Sequence, residues 1–332
     1  MYKLKYNFLK YNQDIRVYLE DLINKSISMF KSQLRNGQIK KPEKDASALA
    51  GCIRNVEEYL YYYFVTSPED FNSILNSMMN NVRTIACFPS NKRRIYGETQ
   101  AQNKLIYINP ELEASKTLSG EERTRLYMAH ELGHIINHEW MKKVIDYTDG
   151  QIRTGALPQK HAQLIYEGFA MLDEATTQDR AEDFVYSFSG KARPQQLNVR
   201  NRRLFNGKPY KSNFDYYGEL QAPATMFART LRGIGKENDD TKALEILSKR
   251  ALSPDFFDNI LGEYTKDRQM PAFIEEFKYM GLLKRASYAN FGAEDISYCR
   301  NSSIYLSEFS DIASQMRDCR EPYINSNARN ER

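Results

Sequence analysis

With 332 residues, 41% of them hydrophobic and 12% aromatic, the chain can bury one substantial core or two modest ones. Charged residues make up 27% and no run of about 18 apolar residues occurs, which argues against membrane spans, while a net charge of +4 gives no reason by itself to expect nucleic acid. The four cysteines, Cys52, Cys87, Cys299 and Cys319, form no Cys-x-x-Cys pair and are too sparse for a disulfide scaffold.

They are expected as small buried hydrophobes in a reducing compartment. The start, Met1-Tyr2-Lys3-Leu4-Lys5-Tyr6, has no apolar stretch behind its charges and no small-residue cleavage site. No signal peptide is expected, and the setting read from these features is cytoplasmic.

In chain order, the first third reads as helices. Asn12 can cap a long one that stops at Gly37, and Pro42 opens a second running to about Val65. Ser67-Pro68-Glu69-Asp70 combines a hydroxyl cap, a first-turn proline and acids suited to the helix dipole, so a third helix should end near Arg83. Short β-favouring runs follow at Thr84 to Phe88, Arg94 to Glu98 and Leu105 to Ile108, separated by Pro89-Ser90-Asn91 and Gln102-Asn103. They predict a small antiparallel sheet.

Ser119-Gly120-Glu121-Glu122 fits a capping box and starts the next helix. Leu126, Ala129, Gly133, Ile136 and Trp140 then recur at alternating spacings of three and four, a core-facing stripe. Gly133 weakens such a helix, so close approach by another element is expected there. A second long helix is predicted from His161 to about Ser187. The basic stretch Lys191 to Lys211 reads as loop, and further helices are expected at Pro223 to Leu231, Lys242 to Ala251, Pro254 to Tyr264 and Pro271 to Met280, the last stopped by Gly281. The predicted class is α+β and mostly helical, with a helical region over 1–83, a core over 84–235, a helical region over 236–318 and a tail over 319–332 expected to be disordered.

Two of only four histidines form the run His130-Glu131-Leu132-Gly133-His134 on the Leu126–Trp140 helix. Imidazoles at i and i+4 point the same way and can grip one ion, while Glu131 stands beside them to handle a water proton. A catalytic site needs a third protein ligand. His138 is rotated roughly 80° from His130 on a continuous helix, and surface exposure near a helix end is its plainer role. Glu167 and Glu174 lie seven apart on the following helix and share a face. Glu174 is favoured because Gln178, one turn on, can hydrogen-bond a ligand or its water, whereas Met171 occupies the same place after Glu167.

The run Leu105-Ile106-Tyr107-Ile108-Asn109-Pro110, then His130-Glu131-Leu132-Gly133-His134, then Leu172-Asp173-Glu174-Ala175 resembles the zincin metallopeptidases, on the gluzincin branch. The likeness covers about a quarter of the chain, from near Lys104 to near Glu182. It implies that His130, His134 and Glu174 bind Zn2+ and that Glu131 is the catalytic base of peptide hydrolysis. The chain departs from the archetypes in the gap of 40 residues between His134 and Glu174, which implies an inserted loop around Asp146 to Pro158.

Such a site needs a further donor to steady an oxyanion. Tyr216 and Tyr217 are candidates, with Tyr217 preferred; His161 is another, although helix capping or exposure explains it as well. The partner expected is a peptide or protein substrate, added as an extended segment along an edge strand that includes Tyr96-Gly97-Glu98-Thr99. A second class of reading is a regulatory or binding protein on the same scaffold, cleaving one partner or none. A third is nucleic-acid binding through Arg200, Arg202, Arg203, Lys208 and Lys211 with Lys92, Arg93 and Arg94, for which solvated surface is the plainer explanation.

Overall fold

A computed structural model describes residues 12–90, 97–109, 119–190, 228, 231, 234, 240–266 and 270–287. The order of elements is α1 (Gln13–Arg35), α2 (Pro42–Thr66), α3 (Phe71–Asn81), β1 (Thr84–Cys87), β2 (Gly97–Gln100), β3 (Leu105–Ile108), α4 (Gly120–Arg153), α5 (Gln159–Ser189), α6 (Asp240–Arg250), α7 (Phe256–Lys266) and α8 (Met270–Ser287). The class is α+β and mostly helical. No described helix is long and apolar enough to cross a membrane.

The described residues fall into two compact units. The first draws on Met1–Glu139, Arg180–Arg193 and Leu252–Pro254, the second on Trp140–Asp179, Pro194–Ala251 and Asp255–Arg332. Helices α4 and α5 are each unbroken and contribute to both.

In the first unit, the Asn12 side chain accepts from the Ile15 amide at 3.2 Å and starts α1, and Gly37 ends the helix at a φ of 66°. Ile15, Leu19 and Leu22 form its buried stripe. The helix also closes one edge of the sheet. Ser26 Oγ accepts from the Ile85 amide at 2.9 Å and Gln33 Nε2 donates to the Cys87 carbonyl at 2.7 Å, so β1 presents those groups to side chains rather than to another strand. Residues 68–70 form a turn and α3 begins only at Phe71, three residues later than the Ser67-Pro68 signal suggests.

The sheet is mixed, not antiparallel throughout. Its order is β1-β3-β2, with β3 parallel to β1 (Thr84 opposite Leu105) and antiparallel to β2 (Gly97 opposite Ile108). Pro89-Ser90 does not turn the chain back onto β1, because Ser90 donates its amide (3.1 Å) and hydroxyl (3.0 Å) to the Gln38 carbonyl. The tight reversal comes after β2, through the short turn Ala101–Asn103 and Lys104 at a φ of 53°. β2 is therefore an outer strand of the described sheet. The predicted strand from Arg94 is seen from Gly97 onward, since residues 91–96 lie outside the described residues.

Helix α4 opens with the expected reciprocal cap. The Glu122 amide donates to Ser119 Oγ at 3.2 Å and the Ser119 amide to Glu122 Oε2 at 2.8 Å. Leu126, Ala129, Ile136 and Trp140 are all buried, as the stripe predicts. Farther along, no loop is inserted around Asp146 to Pro158. The helix continues to Arg153 because Val144 and Thr148 remain buried and the Tyr147 ring meets Phe257 at 5.5 Å; residues 154–158 alone make the turn into α5.

The second unit has its own core around Trp140, Phe169, Phe256, Phe273 and Phe277. Phe169 stacks on Phe277 with centroids 3.8 Å apart, and the Trp140 indole donates to the Ala251 carbonyl at 3.1 Å. Gly281 does not stop α8. It sits inside the helix, where a Cβ would strike the Leu164 carbonyl oxygen, and Gly168 likewise faces the Phe277 carbonyl. Both glycines let the α5 and α8 backbones touch. The helix predicted at Pro223 to Leu231, the 191–211 stretch and the 319–332 tail lie outside the described residues, apart from Ala228 and Leu231, both buried.

Candidate metal centre

The i, i+4 spacing on an unbroken α4 does what helix geometry requires of it. His130 Nε2 and His134 Nε2 face each other at 3.1 Å, with the ring planes at 87°. Two imidazole nitrogens held about 2.0–2.1 Å from one tetrahedral Zn2+ would stand roughly 3.3 Å apart. His130 is buried and His134 half-buried, so the pair sits at a protected edge of the helix rather than in open solvent.

Glu174 on α5 brings the third group. His130, His134 and Glu174 each offer a ligand atom, and these atoms all lie within 4.8 Å of one another. Arg180 fixes how the two helices meet nearby: its Nη2 donates to Asn137 Oδ1 at 2.7 Å and reaches the Gly133 carbonyl at 3.5 Å, less than two turns from Glu174. Two neutral nitrogens and one carboxylate are a donor set suited to catalytic zinc, leaving a fourth position for water.

Glu167 is occupied elsewhere. It accepts from Arg285 Nε at 2.5 Å and Nη2 at 3.1 Å, an ion pair within the second unit. Gln178 is buried. His138 is half-buried and not part of the metal-binding group. His161 opens α5, where burial, then Lys278 and Lys160, hold its pKa below the ordinary value of 6.5. Tyr216 and Tyr217 lie outside the described residues, as do Arg200, Arg202, Arg203, Lys208, Lys211, Lys92, Arg93 and Arg94.

The neighbourhood of Glu131 contains contacts that the sequence did not foretell. Glu131 is buried, and Thr99 Oγ1 on β2 donates to its Oε2 at 2.6 Å, with the Glu131 carbonyl 3.1 Å from the same hydroxyl. Gly97, two residues back on that strand, leaves no room for a side chain unless Glu131 shifts: a Cβ would lie 2.6 Å from Glu131 Oε1 and 2.8 Å from its Cγ. The outer strand and the His-Glu-x-x-His helix thus meet at this carboxylate. Beside it is a cavity of ≈ 150 Å³ whose walls include Asn109, Arg123, Thr124 and Tyr127. Cys52, also in that wall, is a buried thiol outside any disulfide, and burial pushes its pKa up; Cys87 is a second buried cysteine outside any disulfide.

No protein-family model, no curated protein and no solved structure matches this chain.

Proposed function

We propose that the protein is a zinc-dependent peptidase, in which His130, His134 and Glu174 hold the metal and Glu131 is the general base. The observation that carries this reading is the approach of all three ligand atoms to within 4.8 Å, with the buried carboxylate of Glu131 next in sequence to one of them.

When bound at such a site, zinc acidifies a water and polarises a carbonyl. Glu131 accepts the proton of the attacking water and returns it to the departing amine. Thr99 orients that carboxylate by its 2.6 Å hydrogen bond. Gly97 lets the strand approach without pushing it aside. As an outer strand among the described residues, β2 offers backbone groups along which an extended peptide can add, which favours unfolded segments over compact molecules.

The test is zinc content together with turnover of unfolded casein. One zinc per chain and metal-dependent cleavage are expected, with Glu131→Gln retaining zinc and losing turnover. Failure to take up zinc after reconstitution would refute the proposal, as would undiminished cleavage by Glu131→Gln.

A further inference from the structure

The cavity beside Glu131 contains a charge that the peptidase chemistry leaves unused. Arg123, in the first turns of α4, is only 6% exposed and lines this space. Its Nε and Nη1 are buried and make no hydrogen bond. A guanidinium is always charged at physiological pH, and removing it from water without a partner is costly. A largely buried guanidinium with two unpartnered nitrogens, on a residue that lines a cavity, is a site prepared for an anion. Its place strengthens this, because the amino end of a long helix carries partial positive charge.

The cavity has a direction. Glu131 forms one end of the wall, while Arg123 Nη2 lies 3.7 Å from where a Cβ would sit on Gly120, toward the start of the helix. Eight residues separate Arg123 from Glu131, roughly 12 Å along the axis. An extended peptide covers that distance in about two to four residues. A planar carboxylate matches the forked guanidinium, which donates two parallel hydrogen bonds to it. Thr124, Tyr127 and Asn109 also line this space.

We infer that this cavity is a substrate subsite that selects a carboxylate about two to four residues from the scissile bond, with Arg123 as the specificity-determining residue. The placement relative to a scissile bond rests on the peptidase reading; the preference for a carboxylate does not. The carboxylate comes from an acidic side chain or from a chain terminus, and the two are separable by experiment.

The test uses the full chain carrying Glu131→Gln, so that bound peptides persist. The probes are acetylated, amidated alanine pentapeptides with one central Glu or Gln, and an acetylated alanine pentapeptide with a free carboxyl end. Titrations should show the Glu peptide, the free-ended peptide or both binding about 10- to 100-fold more tightly than the Gln peptide. Whichever is preferred identifies the source. Arg123→Gln should abolish the preference and Arg123→Lys should retain part of it. Equal binding of all three peptides by protein retaining Arg123 overturns the subsite, even if the Arg123 variants fail to fold. Cleavage by the protein with Glu131 intact is scored separately. A carboxylate preference without zinc or cleavage would sink the peptidase reading alone, and cleavage without that preference would sink the subsite alone.

Discussion

Gly97→Ala isolates the contact between the outer strand and the proposed base. Gly97 is not among the glycines with positive φ, so alanine can adopt its backbone conformation. The conflict is with one side chain: the new Cβ would lie 2.6 Å from Glu131 Oε1, 2.8 Å from Cγ and 2.9 Å from Cδ. Restoring contacts of about 3.4 Å requires the carboxylate to retreat by roughly 0.5–0.8 Å. Glutamate is flexible enough to do this at little cost, so stability should stay within about 1 kcal/mol of the parent. Catalysis is less tolerant, because a general base must remain within hydrogen-bond reach of its proton and a displacement near 1 Å can cost about 100-fold. The expected outcome is unchanged zinc content, a nearly unchanged Tm and a kcat lowered by about 100-fold on a casein-derived peptide. Full activity in a folded, zinc-loaded Gly97→Ala protein would refute the idea that β2 positions the base.

Three other outcomes follow from the same contacts. Glu174→Gln should lose most bound zinc by metal analysis, whereas Glu167→Gln should keep it and lose about 1 kcal/mol of stability with its Arg285 ion pair; the reverse metal pattern would exchange the two roles. Gly281→Ala should destabilise by about 3 kcal/mol in chemical denaturation, since the backbone carbonyl of Leu164 cannot move aside as a side chain can, and a neutral result would show that α5 and α8 are not in backbone contact. His161 has its pKa lowered chiefly by burial, so the unfolded chain takes up a proton more readily than the folded one. The contribution is intact above the unfolded value of 6.5 and is lost as pH falls from there through the lowered folded value. His161→Gln should therefore flatten the stability profile on the acid side of 6.5, and an identical slope in both proteins would contradict it.

What could be read from the sequence was what is written locally. Asn12 and the Ser119/Glu122 pair marked helix starts because the cap and the amide it satisfies are within three residues. The α4 stripe and the facing of His130 and His134 followed from helical phase alone. Strand direction was not local: Ser90 is held by Gln38, far back in the chain, so turn-forming residues after β1 did not make a hairpin. The 40-residue step from His134 to Glu174 implied an inserted loop around Asp146 to Pro158, yet buried Val144 and Thr148 and the Tyr147 ring keep α4 helical. Gly281 looked like a helix stop when it is a point of backbone contact. Gly97 and Thr99 were legible only as part of an edge strand; their contacts with Glu131, and the place of Arg123, arise only when β2 and the start of α4 meet around that carboxylate. Glu174 could be favoured over Glu167 on the strength of Gln178, whereas the competing attachment of Glu167 to Arg285 lay more than 100 residues away.

The most direct test of the metal centre is diffraction from zinc-soaked crystals at energies on either side of the zinc absorption edge. One anomalous peak is expected within about 2.0–2.2 Å of His130 Nε2, His134 Nε2 and a carboxylate oxygen of Glu174. A peak bound through other side chains, or none near the two imidazoles at saturating zinc, would contradict it.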